Sequence, residues 1–166
     1  MQILELTSTP TVYMMIGVPG SGKSTWINRQ NFDWNSTVLI STDAIIDRTA
    51  KQLGKTYNDV FSTTIKAASQ EMNQQLEQAI KNKMNIVWDQ TNLSAKARQS
   101  KLAKIPKSYR KVAVFFEIPD DQKLDRRLQS RPGKIIPANV VASMKQQLEM
   151  PTASEGFDKI IVVPVK

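Results

Sequence analysis

The chain has 166 residues, 40% of them hydrophobic, and a formal charge of +8. That length suits one domain, residues 1–166, around a single core. It contains no cysteine and no histidine, which excludes disulfides, thiolate nucleophiles, zinc clusters and imidazole acid–base chemistry, so any catalytic base has to be a carboxylate or a water.

The opening MQILELTSTPT lacks the basic region and long apolar run of a secretory signal, and nowhere do 18 apolar residues run together; the expectation is a soluble, cytoplasmic protein with no membrane partner. Residues 1–10 leave two options open, an extra edge strand through Ile3–Leu6 or a disordered tail. The first apolar run, Val12–Ile16, leads into Gly17-Val18-Pro19-Gly20-Ser21-Gly22-Lys23-Ser24, a full match to the P-loop pattern G-x-x-x-x-G-K-[ST]. Glycines let successive backbone N–H groups turn inward around an anion, Lys23 reaches the β- and γ-phosphates, and the Ser24 hydroxyl ligates magnesium. With a strand before and a helix after, the stretch predicts a site for ATP and Mg2+ built from Gly17, Pro19, Gly20, Ser21, Gly22, Lys23, Ser24 and Thr25.

In α/β sheets ligands sit beyond the carboxyl ends of the strands, so the residues after each apolar run carry the interest. After Val38–Ile40 comes Ser41-Thr42-Asp43. Asp43 has two roles open to it, a base accepting a proton from an attacking hydroxyl or an N-cap on a helix starting at Ala44. From about Asn58 to Lys83 the spacing of Phe61, Ile65, Met72, Leu76 and Ile80 predicts a long helix with a core-facing stripe. After Ile86–Trp88 comes Asp89-Gln90-Thr91-Asn92. Asp89 is placed to orient magnesium or the acceptor, or else to serve as a strand-end turn residue; Thr91 and Asn92 either meet the substrate or cap a helix beginning near Ser94.

The fourth apolar run is Val112–Phe116 and the fifth Ile160–Val165. Between them a helix from about Asp120 is expected to end at Arg131-Pro132-Gly133. Arg127 and Arg131 are four apart and share a face if that helix lasts so far, making residues 120–136 either an arginine-bearing lid over phosphates or a solvated basic face. A further helix after Pro137, with Val140, Met144 and Leu148 on one side, stops before Pro151. Strands alternating with helices predict an α/β fold with a mainly parallel five-stranded sheet covered on both faces. Between Lys96 and Lys134 there are 12 Lys/Arg against 4 Asp/Glu, and elsewhere 11 against 11. An excess concentrated in this way suits a polyanion such as nucleic acid, with a lysine-rich solvated surface as the alternative.

In this combination, cradle, STD, DQTN and R-x-x-x-R-P-G-K-x-x-P, the chain resembles the kinase domain of phage polynucleotide 5′-kinase and its small P-loop kinase relatives, from about Val12 to Val163. The resemblance implies a P-loop kinase fold and an ATP- and Mg2+-dependent transfer of the γ-phosphate to a hydroxyl, foremost the 5′-hydroxyl of a DNA or RNA end. It implies that Asp43 is the base, that Lys23 and Arg131 stabilise the transferred group, that Arg127 and Arg131 hold the nucleotide, and that Asp89, Thr91 and Asn92 lie beside the substrate, with Ser24 and Asp89 on the metal. A phage source is one option it carries. Where the phage enzyme flanks its base with arginines this chain has Thr42, Ala44 and Ile46, and since the resemblance covers the kinase domain alone, the expectation is a kinase without the phosphatase domain of the bifunctional enzyme. DQTNLSAKARQSKL and EGFDKIIVV are also similar to the kinase-like domain of nuclear ribonucleoprotein scaffold proteins, which implies RNA binding without turnover as a rival. Another acceptor, such as a hydroxymethylated base, a nucleoside or a small alcohol, is the second.

Overall fold

The computed structural model describes residues 9–166. The five apolar runs form strands β1 (Thr11–Ile16), β2 (Thr37–Ile40), β3 (Asn85–Trp88), β4 (Arg110–Phe116) and β5 (Lys159–Val163), joined by helices α1 (Lys23–Arg29), α2 (Thr42–Leu53), α3 (Tyr57–Lys81), α4 (Ala95–Leu102), α5 (Asp121–Gln129) and α6 (Ala138–Gln147). The strand order is β2-β3-β1-β4-β5 and every pairing is parallel. The edge strand considered at Ile3–Leu6 lies outside the described residues. Among the described residues no helix is long and apolar enough to cross a membrane.

Because side chains on a strand point alternately to opposite faces, β1 feeds both layers. Val12, Met14 and Ile16 pack with Ile46 of α2 and Met72 and Leu76 of α3. Tyr13 and Met15 pack with Trp26 and Ile27 of α1. All six β1 residues are buried, as expected of a central parallel strand covered on both sides. A third small cluster, Val18, Leu93, Leu124 and Val141, seats α5 and α6 beside the glycine-rich turn.

Register places the functional loops level with one another. Trp88 pairs with Met14 on one side and Ile40 on the other. The next residues are then tied across the strand ends, Asp89 N donating to Ile40 O at 2.8 Å and Gly17 N to Thr91 O at 3.0 Å.

Three local expectations are corrected. In α3, Met72 and Leu76 are buried and Ile65 and Ile80 half-buried, but Phe61 is 40% exposed and packs against Tyr57, 5.6 Å between ring centroids. In α6 it is Val141, and not its neighbour Val140, that turns into the core. Helix α5 stops at Gln129, so Arg131 is not on it. Pro132 disfavours helical geometry for the residue before it, and Gly133 at φ 66° turns the chain away.

Candidate phosphoryl-transfer site

The turn between β1 and α1 is shaped by two glycines in the left-handed region, Gly20 at φ 81° and Gly22 at φ 104°, where a side chain is strained. Gly17 is required for a different reason: a Cβ there would lie 2.6 Å from Ser21 Oγ and 3.0 Å from Phe116 Cβ. Lys23 Nζ donates to the carbonyls of Gly17 (2.8 Å) and Val18 (3.0 Å), folding the ammonium over the turn. Burial pulls the Lys23 pKa down to about 8 even though Asp89 and Asp43 oppose it. An ammonium so poorly solvated gains most from an anion placed beside it. Gly20, Ser21, Gly22, Lys23, Ser24 and Thr25 line a cavity of about 1150 Å³, with Pro19 at its edge. Gly17 sits behind the turn and does not line it.

Asp43 faces the same cavity from the start of α2. The capping alternative is excluded: the N-cap is Ser41, whose Oγ accepts from Ala44 N at 3.2 Å, and Asp43 stands inside the first turn, its carboxylate bonded to no backbone group among the described residues. Instead Asp43 Oδ1 accepts a 2.7 Å hydrogen bond from the Tyr57 hydroxyl. Lys134 Nζ lies 3.9 Å from Asp43 Oδ2, 3.1 Å from Asp47 Oδ2 and 4.5 Å from the centre of the Tyr57 ring. Tyr57, Asp47 and the role of Lys134 carry no signal in the sequence. Tyr57 sits at the start of a helix whose stripe explains its neighbours, and nothing local links it to a residue 14 positions earlier.

Asp89 and Thr91 also line the cavity. Burial pushes the Asp89 carboxyl upward and Lys23 pulls it back. Trp88 Nε1 donates to Gln90 Oε1 (3.0 Å), and Gln90 Nε2 to Thr42 Oγ1 (3.2 Å), so the DQTN turn is strapped to the start of α2 and Asp89 is held near Asp43. Asn92, expected beside the acceptor, does not line the cavity. It is 2% exposed, adopts φ 49°, and donates from Nδ2 to Met15 O at 2.7 Å while its Oδ1 accepts from Lys101. Nor does it cap α4, whose N-cap is Ser94. Its role is to splice the DQTN turn to the end of β1.

Two cations of the concentrated basic segment, Arg98 and Lys101, turn inward, while Lys96, Lys104 and Lys107 stay exposed. Arg98 is completely buried: Nε and Nη2 grip the Glu155 carboxylate at 2.8 and 3.2 Å, and Nη1 donates to the carbonyls of Asn92 and Leu93, both at 2.9 Å. Lys101 bonds Asn92, lies 5.7 Å from the Trp88 ring centre, and burial draws its pKa down to about 8. A charge count along the chain cannot separate such internal cations from a surface patch.

Arg127 and Arg131 both reach the cavity, but not from one helix face. Arg127 Nη1 donates to Gly20 O at 3.0 Å, bracing the glycine-rich turn. Arg131 comes from the loop after α5, and its guanidinium makes no side-chain hydrogen bond or ion pair among the described residues. Arg126 points to solvent.

The donor set fits a nucleotide polyphosphate. Ser21 Oγ is a buried polar atom with no hydrogen-bond partner, which costs free energy unless something supplies one, and it lies in a glycine turn that opens to the cavity. Lys23 and the turn's backbone would hold the phosphates. Ser24 and Asp89 would hold a magnesium ion, which takes one or two protein ligands and completes its shell with phosphate and water.

A sequence profile of the AAA domain family matches residues 12–151. Heterogeneous nuclear ribonucleoprotein U-like protein 2 of Mus musculus is 27% identical over 157 residues, covering 90% of this chain and 21% of that protein; the chain thus spans about a fifth of the length of this relative. In the solved structure of the Pnkp1/Rnl/Hen1 RNA repair complex, one chain superposes with a TM-score of 0.65 at 23% identity, covering 92% of this chain and 48% of that one. A gluconokinase from Sinorhizobium meliloti 1021 superposes with a TM-score of 0.53 at 19% identity, covering 95% and 83%. These likenesses establish the P-loop kinase fold, a five-stranded parallel sheet with helices on both faces.

Proposed function

The chain belongs to the AAA domain family, and we propose that within it this protein is a Mg2+-dependent kinase transferring the γ-phosphate of ATP to a hydroxyl, foremost the 5′-hydroxyl of a DNA or RNA strand. The observation that carries this reading is Asp43: a carboxylate in the same cavity as Lys23 and Arg131, released from helix capping by Ser41. A carboxylate so placed takes the acceptor's proton as the new O–P bond forms and the bond to the leaving diphosphate oxygen breaks. Lys23 and Arg131 offset the charge spreading over the phosphoryl oxygens. ATP held by Lys23 and the backbone of the turn would supply the phosphoryl group, and Mg2+ held by Ser24 and Asp89 would neutralise part of the phosphate charge.

Support for a strand as acceptor comes from two sides. One is the likeness to a chain of an RNA repair complex and to a ribonucleoprotein. The other is a second cleft of about 550 Å³ that shares Asp47, Arg131 and Lys134 with the main cavity and adds Lys51 and Lys55. That cleft adds the exposed Lys51 and Lys55 to the Arg131 and Lys134 that also line the main cavity. The gluconokinase likeness favours the second reading, a small alcohol as acceptor.

A transfer assay with labelled ATP against 5′-hydroxyl DNA, 5′-hydroxyl RNA, hydroxymethyl-base DNA, nucleosides and gluconate decides between them. Label on the strands alone supports the proposal, label on small acceptors alone replaces it, and strand binding with no transfer to any acceptor makes the protein a binding module. Lys51→Gln/Lys55→Gln is expected to raise the KM for an oligonucleotide and to flatten its salt dependence by about 0.7 in log–log slope for each phosphate no longer neutralised, with transfer to a nucleoside unchanged. An unchanged oligonucleotide KM at every salt concentration would remove the second cleft from the strand's path.

The loop arginine gives a separate test. Arg131→Ala should lower kcat by about tenfold, more than it raises the KM for ATP, because its charge matters most where negative charge is spreading. Arg126→Ala, on the solvent side of α5, should match the parent. Equal losses at both positions in steady-state assays would mean that Arg131 has no special place in the site.

A further inference from the structure

We propose that Tyr57 is a positioning residue for phosphoryl transfer: its hydroxyl fixes the Asp43 carboxylate while its two neighbours, Thr56 and Asn58, fix the loop that carries Arg131. The inference rests on the reading of Asp43 as the base and goes beyond it, since it makes the first turn of α3 the part that aligns both halves of the site.

Asp43 needs such a partner. Its side chain is 56% exposed and projects from the first turn of α2, making no hydrogen bond to backbone among the described residues. A carboxylate in that position turns freely about two torsions unless something holds it. The Tyr57 hydroxyl holds Oδ1 at 2.7 Å, a short bond to an anion of the stronger kind, and leaves Oδ2, 3.9 Å from Lys134 Nζ, without a hydrogen bond of its own among the described residues. The ring is gripped in turn. Phe61 packs against it at a tilt of 39° one helical turn later, and Lys134 Nζ sits 4.5 Å from its centroid, within the range of a cation–π contact. Burial and the Asp43 bond both raise the phenol's pKa, so the hydroxyl keeps its proton and stays a donor.

The residues on either side of Tyr57 bind the Arg131 loop. Asn58 N donates to Gly133 O at 2.9 Å. The Asn58 side chain pairs with the Ile135 backbone at both ends, Nδ2 to Ile135 O at 3.1 Å and Ile135 N to Oδ1 at 2.6 Å. Thr56 closes the third side: a Cβ on Gly133 would lie 2.3 Å from Thr56 Cβ, so the loop can approach this closely only through a glycine. Thr56 itself is locked by a capping box with Asp59. Three consecutive residues, anchored by one cap, therefore set the orientation of the base and the path of the loop arginine.

Tyr57→Phe tests the claim with the loss of one oxygen, keeping the ring, the Phe61 contact and the Lys134 contact. The expected result is a fall in kcat of about tenfold or more, as for a reacting group displaced by a fraction of its reach, with the dissociation constant for ATP and the melting temperature unchanged. In an Asp43→Asn background the same change should cause no further loss, because there is no base left to align. Asn58→Ala should lower kcat as well, and adding Arg131→Ala to it should cost far less than Arg131→Ala costs the parent. Parental kcat in Tyr57→Phe, with Asp43→Asn inactive, would overturn the positioning role and leave the base in place. A loss that follows only the fraction of folded protein would overturn it too, since that is what a structural tyrosine does. Full activity in Asp43→Asn would instead remove the reading of Asp43 on which the inference stands.

Discussion

Asp43→Asn is expected to slow phosphoryl transfer by about a hundredfold or more while leaving ATP affinity nearly unchanged. The substitution is close to isosteric, and its surroundings make the result interpretable. The cap of α2 is Ser41, so no backbone donor is orphaned when the carboxylate is replaced. The Tyr57 hydroxyl can still donate to an amide oxygen, so the side chain keeps its place. What goes is the carboxylate's basicity and its charge opposite Lys134, together with a first-turn negative charge that contributes about 0.3–1 kcal/mol to the helix. A drop in stability on that scale, measured by thermal melting, cannot account for a hundredfold loss in single-turnover rate. Near-parental turnover would mean that the acceptor hydroxyl loses its proton without help from this residue.

Much of the frame is legible in the sequence because each signal is local. The glycine-rich turn, the strand before it and the helix after it occupy consecutive residues, and the five apolar runs mark their strands to within a few positions. Asp43, Asp89 and Thr91 follow from a single rule, that strand ends face the ligand. The misreadings share a cause. A spacing of four puts Arg131 on a helix with Arg127 only if the helix continues, and Pro132 cuts it short. Asn92 resembles a substrate contact because a polar residue after a strand is commonly exposed, yet its amide is consumed by Met15 and Lys101. Tyr57 and Lys134 enter the site through long pairings, Tyr57 to Asp43 over 14 positions and Lys134 to Tyr57, Asp47 and Asp43 over 77, 87 and 91. Such pairings exist only once the chain is folded, and periodicity carries no trace of them.

The basic segment shows the same gap between sequence and space, and Arg98 turns it into the second large expected effect. Arg98→Met should lower stability by about 3 kcal/mol or more, the range for removing one partner of a buried ion pair, which for a domain of this size is a fall in melting temperature of about 6–12 °C. The cause is specific: the Glu155 carboxylate, only 13% exposed, is left without its partner, and the carbonyls of Asn92 and Leu93 without their donor. Burial pushes the Glu155 carboxyl up, but the Arg98 and Thr152 hydrogen bonds outweigh it and hold the group below its ordinary 4.5. Its contribution is therefore complete above that ordinary value and is lost as pH falls through the lowered one. The difference in melting temperature between parent and Arg98→Met should accordingly be full at neutral pH and shrink below pH 4.5. Arg98→Met/Glu155→Leu should recover part of the loss, since a buried pair replaced by apolar groups is often nearly neutral. If strand binding by this repaired protein keeps the parental salt slope, Arg98 contributes nothing to nucleic-acid contact, and the cations that count are among those left on the surface. A flattened slope in a fully folded double variant would mean that Arg98 reaches a phosphate after all, against its complete burial.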